Sequence, residues 1–333
     1  METGDCEILK VKGIAVFSGG LDSIIAVKVI QDQGIEVVGL TFETPFFSSR
    51  KARDAARKIG LPLKVLDITE EHLKMLMNPR YGYGKNLNPC IDCHTLMLKI
   101  AGEKMSELGA DFIFTGEVLG QRPMSQGKQM LGVVAKNSGY ADYILRPLSA
   151  KLLPETKPER EGKINREMLL DIQGRGRKIQ ISLAEHYGIS DYAPPAGGCL
   201  LTDPMFTKRL RDLFDHKKDF TIRDIELLKF GRHFRLDEKT KIVVGRNRVD
   251  NEAIQRLTET RDITVYTVSF RGPTVLIPDG GNAEVQQSAA ALCARYSDAP
   301  RDENVAVNCV SGNQSWEIVV TAASQENISR WMI

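Results

Sequence analysis

The stretch that most constrains this chain is IAVFSGGLDSIIAVKVI, residues 14–30. An apolar, β-branched run stops at Ser18-Gly19-Gly20-Leu21-Asp22-Ser23 and an amphipathic run follows at once, so the segment reads as buried strand, tight loop and helix. The same order recurs through residues 12–150. GIAVF, EVVGLTF, LPLKVLDI, DFIFTGE and YILRPL have the character of buried strands, whereas SIIAVKVIQDQG, SRKARDAARKIG and DCHTLMLKIAGEKMSELG have that of helices. Strands alternating with helices predict an α/β fold, a parallel doubly wound sheet whose ligands bind at the carboxyl ends of the strands.

In the loop itself, the glycine pair lets the backbone turn tightly and its N–H groups converge on an anion, which the start of the following helix also favours. Ser18 and Ser23 add hydroxyl donors. The loop lacks the spacing and lysine of a Walker sequence and the G-x-G-x-x-G of a dinucleotide fold. Asp22 beside a phosphate calls for a magnesium ion, or for a role in repelling the wrong anion.

At 333 residues the chain is long enough for two domains with separate cores, and 42% hydrophobic with 26% charged residues is an ordinary soluble composition. A cytoplasmic location and no membrane partner are expected, because no apolar run is long enough to span a bilayer and METGDCEILKVKG is not laid out as a signal peptide. The net charge of +2 does not by itself imply a polyanionic partner. Residues 205–261, however, carry fifteen Lys or Arg against ten Asp or Glu, which suits either an RNA-facing surface or a solvated helix of mixed charge.

SGGLDS resembles the pyrophosphate loop of the PP-loop ATP pyrophosphatases. TGEVLGQRPMSQ (115–126) and RPL (146–148) are similar to motifs of the tRNA 4-thiouridine synthases, and NPCIDCH (88–94) to a segment of the tRNA 2-thiouridylases. The resemblance covers about residues 12–150, although neither the N-terminal RNA-binding module of the 4-thiouridine enzymes nor a rhodanese-like tail is recognised. It implies ATP and Mg2+, with Ser18, Gly19, Gly20, Leu21, Asp22 and Ser23 holding the β- and γ-phosphates. It also implies Phe42, with Glu43, and Gly116 beside adenosine. Gln121, Arg122 and Ser125 are candidates for the α-phosphate or the target base, with a surface salt bridge as the plainer role for Arg122. The implied reaction is adenylation of a uridine carbonyl in tRNA and replacement of its oxygen by sulfur. Two alternatives are a PP-loop ligase using a nitrogen donor and a non-catalytic nucleotide-sensing RNA-binding protein.

Cys90-x-x-Cys93 precedes a predicted helix, whose start favours thiolate, and Cys199 lies in the loop PPAGGCLLTDP. Three roles are open. Cys93 or Cys199 carries a persulfide that another cysteine resolves; or Cys90, Cys93 and Cys199 hold three irons of a [4Fe-4S] cluster, as in cluster-dependent tRNA thiolases; or the pair is half of a zinc site, for which His94 is poorly spaced. Catalytic roles are therefore assigned to Cys90, Cys93, Cys199 and Asp22, and Cys6, Cys293 and Cys309 are expected to be structural. The sulfur donor would be a cysteine desulfurase or sulfide, and a homodimer is left open.

Further along, FRLDEKTKIVVGRNRVDNEAIQRL, GPTVLIPDG and AAALCARYSDAPRDENVAVNCV are similar to the NFACT RNA-binding domain over about residues 230–312, with Gly272-Pro273-Thr274 in place of its usual Gly-Ser-His. This implies a domain that grips an RNA backbone. The expected organisation is a PP-loop ATP-binding domain at 1–150, a mostly helical connection carrying Cys199 at 151–215, and an NFACT-like domain at 216–333. INREMLLDIQGRGRKIQISLAEHYG (164–188) reads as mostly helical. GRGRKIQ and GRNRVDN each space two arginines for phosphate contacts, or form ordinary exposed turns.

Overall fold

The computed structural model describes residues 11–122, 125–192 and 198–333. Cys6, Pro123, Met124 and most of the Pro-Gly loop before Cys199 lie outside the described residues. The chain divides into two compact units, Met1–Thr202 and Asp203–Ile333, so the connection read at 151–215 is shared between them.

The first unit runs β1 (Lys12–Val16), α1 (Leu21–Gln31), β2 (Glu36–Glu43), α2 (Arg50–Ile59), β3 (Leu63–Asp67), α3 (Thr69–Met77), α4 (Cys90–Glu103), α5 (Met105–Leu108), β4 (Phe112–Thr115), α6 (Lys128–Ser138), β5 (Ile144–Leu145), α7 (Lys157–Arg160) and α8 (Lys178–His186). Its sheet has the order β3-β2-β1-β4-β5 and every pairing is parallel, as the alternation of strands and helices predicts. Successive side chains of a strand point to opposite faces. Ala15, Val37, Phe112 and Phe114 therefore enter one core with α1 and α2, while Ile14, Val38, Leu40 and Ile113 enter the other with α4 and α6. Both faces are covered, which explains why the strands read as continuous apolar runs.

After β3 the chain crosses to the far side of β1 to form β4. The carboxyl ends of β1 and β4 therefore flank the crevice where strand order reverses, the place where such sheets bind ligands.

The segment 164–188 departs from its helical reading, because only Lys178–His186 forms an α-helix. Leu170 N–H donates to the Pro147 carbonyl at 2.9 Å, Ile172 N–H to Leu148 at 2.8 Å and Gly174 N–H to Leu119 at 2.7 Å. Gln173 also forms a parallel bridge with Leu119. Neighbouring chain satisfies the backbone groups that a helix would otherwise have paired.

The second unit runs α9 (Pro204–His216), α10 (Ile222–Leu227), β6 (Arg232–Arg235), β7 (Lys241–Val244), α11 (Arg248–Arg256), β8 (Ile263–Thr267), β9 (Val275–Ile277), α12 (Ala283–Arg295), β10 (Val305–Ser311), β11 (Gln314–Val320) and α13 (Gln325–Trp331). Its antiparallel sheet has the order β11-β10-β8-β9-β7-β6, and α12 packs on it. Cys293 and Cys309 are fully buried in this core. No helix among the described residues is long and apolar enough to cross a membrane.

Candidate functional site

The Ser18–Ser23 loop leaves β1 and enters α1 directly. Gly19 has φ +71°, in the left-handed region, and a Cβ there would fall 2.4 Å from the Lys51 carbonyl oxygen at the start of α2, so only glycine fits. Gly20 N-caps α1 in an extended conformation with no side-chain cap. The first-turn N–H groups of α1 are thus left to an external acceptor, and the positive end of the helix dipole favours an anion. Ser23 Oγ donates to the Gly20 carbonyl at 2.8 Å, and the Ser18 and Ser23 hydroxyls lie 3.3 Å apart. Leu21 is 1% exposed and belongs to the core, so it lends the loop only its backbone.

Gly116, at the end of β4, closes the crevice from the other side. A Cβ at that position would lie 2.5 Å from the Ser23 backbone nitrogen. Gly116→Ala is expected to push β4 away from the first turn of α1, costing about 1–3 kcal/mol and weakening ATP binding in a titration of the purified variant. Unchanged affinity would show that the close approach of these two segments has no part in the site. Phe42 is 4% exposed and its side chain packs in the core among Ile68 and Leu98, so its backbone is the part it can offer a nucleotide. Glu43 accepts a hydrogen bond from Ser49 Oγ at 2.6 Å.

Asp22 faces Gln121 and Arg122 after β4, and Arg177 and Gln180 at the start of α8. Burial pushes its carboxyl above the ordinary range, against the pull of those four groups. Asp22 Oδ1 is buried without a hydrogen-bond partner, an oxygen donor of the kind magnesium takes. Ser125 is buried and Arg122 is exposed. Of the GRGRKIQ arginines, Arg177 thus belongs beside the glycine loop, which sequence spacing alone did not reveal.

The cysteines form a second group in the first unit. Cys90 opens α4 and accepts a hydrogen bond from Asn88 Nδ2 at 3.3 Å. Asp92 accepts from the backbone N–H groups of Arg80 and Tyr81, which pins the 78–89 loop to the helix. Leu200 N–H donates to the Phe46 carbonyl at 2.9 Å and Asn86 Nδ2 to the Thr202 carbonyl at 2.7 Å, so the segment carrying Cys199 is tied to the chain after β2 and to the 78–89 loop. Cys90, Cys93 and Cys199 are free thiols; Cys199 and Cys90 raise the pKa of Cys93, and Cys90 raises that of Cys199, which brings the three sequence-predicted cysteines into one group.

Their protonation corrects the expectation from the helix start. Burial pushes the Cys93 thiol well up, with Cys199 and Cys90 adding to it, and burial pushes Cys199 up to about 11. The dipole contributes only about 0.3–1 kcal/mol, so desolvation wins and both thiols are protonated at neutral pH. Three soft sulfur donors suit iron or zinc by their chemistry. As they stand, among the described residues, no group of three or more His, Cys, Asp or Glu is arranged to hold a metal ion.

A buried ion network links the two halves of the site and went unnoticed as such in the sequence. Glu117, next to Gly116, receives Arg146 Nε at 2.9 Å on one carboxylate oxygen and lies 2.9 Å from His94 Nδ1 on the other. Its side chain is 8% exposed and that of Arg146 6%. Burial alone would raise the Glu117 carboxyl, but Arg146 and His94 outweigh it and hold it down at about 2. His94 follows Cys93 directly, so the thiol helix is keyed to the strand end that touches the glycine loop.

In the second unit, the arginine pair of GRNRVDN resolves into helix architecture. Asn247 caps α11, Arg246 Nε donates to Asp250 at 2.6 Å and Arg248 Nε to Glu252 at 2.6 Å. A buried cluster joins Asp212 to Arg235 and Lys241.

Comparison with known proteins agrees with these two units. Residues 9–151 match the family model described as thiamine biosynthesis protein (ThiI), and residues 231–332 match that of the NFACT protein RNA binding domain. The first unit thus carries a ThiI-type domain and the second an NFACT-type RNA-binding domain. The tRNA-specific 2-thiouridylase MnmA of Symbiobacterium thermophilum is 28% identical over 167 residues, covering 43% of each chain. Its namesake in Flavobacterium johnsoniae is 30% identical over 174 residues, also 43% of each. The chain therefore spans less than half the length of these relatives. A solved 4-thiouridine synthetase–RNA complex with bound ATP is 23% identical, with a TM-score of 0.35, and the match covers 58% of this chain and 45% of that one.

Proposed function

We propose that the protein is an ATP-dependent tRNA sulfurtransferase that adenylates a uridine carbonyl and replaces its oxygen by sulfur. The observation that carries this reading is the run of contacts at the carboxyl ends of the central strands β1 and β4. The glycine loop touches Gly116, Glu117 holds His94, and His94 adjoins the thiol group.

A uridine carbonyl oxygen is a poor leaving group, and attack on the α-phosphate of ATP turns it into part of a departing AMP. The backbone of Ser18, Gly19 and Gly20 and the hydroxyls of Ser18 and Ser23 stabilise the charge that grows on the leaving pyrophosphate. Asp22 would hold the magnesium ion that offsets the remaining charge. Sulfur then adds to the activated carbon and expels AMP. The second unit binds the tRNA, and that binding should weaken steeply with salt.

Cys90, Cys93 and Cys199 would hold a [4Fe-4S] cluster, which when bound supplies an iron open to sulfide. What favours this over a resting persulfide is that three cysteines share one group, where a persulfide carrier needs only one. Iron content after purification without oxygen tests the choice. Iron bound by the wild type and lost in Cys93→Ser supports the cluster, whereas iron-free protein that thiolates tRNA at full rate assigns the thiols to persulfide transfer. Nucleoside mass spectrometry of cells lacking the gene should show a missing thiouridine, and an unaltered nucleoside profile would count against the whole reading.

A further inference from the structure

We propose that Arg177 and Gln180, at the start of α8, form the second half of the phosphate site and bind the pyrophosphate portion of ATP opposite the glycine loop. The inference rests on the nucleotide reading of that loop and adds residues that its motif does not contain.

The placement follows from the backbone. The Gln173–Leu119 bridge and the Gly174–Leu119 hydrogen bond hold the chain against the extension of β4, and the next turn starts α8 beside α1. Arg177 is the N-cap of α8 and no side chain caps the helix, so its first N–H groups join those of α1 in presenting positive ends to one region.

The side chains supply the independent sign of a ligand. Gln180 is fully buried and its amide lies close enough to Asp22 to pull on that carboxyl, yet neither its Oε1 nor its Nε2 has a partner at ordinary hydrogen-bond distance. Asp22 Oδ1 and Arg177 Nε are likewise buried and unpartnered. Buried polar groups are nearly always hydrogen-bonded, so three facing side chains with open donors and acceptors describe a site completed by something else.

Charge identifies that partner. Arg177 and Arg122 set two guanidiniums against the single Asp22 carboxylate, and two helix starts add to the positive side. An isolated phosphate monoester needs less than this. A pyrophosphate group, with several charges and its own divalent cation, uses all of it: the guanidinium fork would take phosphate oxygens, and the Asp22 and Gln180 oxygens would suit the cation. The glycine loop has no Walker lysine, and Arg177 supplies the missing fixed charge from a different segment.

Calorimetry on the full-length protein tests this with three probes: magnesium pyrophosphate, Mg-ATP and AMP. Arg177→Gln should weaken pyrophosphate and ATP binding on the order of tenfold or more while leaving AMP binding unchanged. Gln180→Leu should do the same and also raise the melting temperature of the ligand-free protein, because it removes an amide that the empty site leaves unpaired. Equal losses for AMP and pyrophosphate would reduce α8 to a structural prop and overturn the proposal. So would pyrophosphate affinity unchanged in both variants. A wild-type protein that binds neither pyrophosphate nor ATP would instead overturn the nucleotide reading on which the proposal rests.

Discussion

Exchanging Glu117 for glutamine lowers the stability of the first unit by about 3–5 kcal/mol at neutral pH, measured as a shift in denaturant midpoint. The change leaves the Arg146 guanidinium, 6% exposed, without its counter-charge in the interior. The pH dependence has a definite sign. The native environment holds the Glu117 carboxyl at about 2 against an ordinary 4.5, so its contribution is complete above pH 4.5 and is lost as pH falls toward 2. The gap between wild type and variant should therefore narrow progressively below pH 4.5. A constant gap across that range, or none at neutral pH, would mean that Glu117 does not hold the network together.

Cys199→Ser is expected to reduce thionucleoside formation to background while ATP is still bound and converted to the adenylate. The separation follows from chain order. Cys199 sits on a segment anchored to Phe46 and Asn86, whereas the glycine loop is built from β1, α1 and α2. Cys93→Ser should behave alike, because its thiol shares the group. Cys309→Ala, deep in the second unit, should affect stability but leave the ratio of sulfur transferred to ATP consumed untouched. Full thiolation by Cys199→Ser would remove the thiol group from the chemistry.

The parts of this fold that are legible in the sequence are those dictated by local pattern. The β1–loop–α1 junction was one, since strand, glycine turn and apolar helix are contiguous, and the parallel sheet followed from repeating that order. Residues 164–177 misled because their partners are distant: a helical composition yields when Pro147, Leu148 and Leu119 satisfy the backbone. The Cys93 thiol misled because the helix start is visible in sequence and burial is not, and burial is the larger effect. Arg246 and Arg248 pair with Asp250 and Glu252 one helical turn on, contacts that the i,i+4 spacing already makes legible.

Glu117 and Arg146 stand twenty-nine positions apart, and Asp22 and Arg177 more than a hundred. Neither pair has a periodicity to betray it. An acidic residue following the apolar run FIFT, and an arginine between Leu145 and Pro147 in another, were the available hints: charges there demand partners.

The proposed reaction splits ATP in the first unit between its α- and β-phosphates so that an RNA base can take sulfur. Its most direct test is to incubate the full-length protein, purified without oxygen, with α-labelled Mg-ATP, tRNA and sulfide, and to follow nucleotide products and nucleosides together. The expected result is AMP and pyrophosphate formed in step with a thiouridine, and neither without tRNA. Formation of ADP and phosphate, or of AMP beside unmodified tRNA, would contradict it.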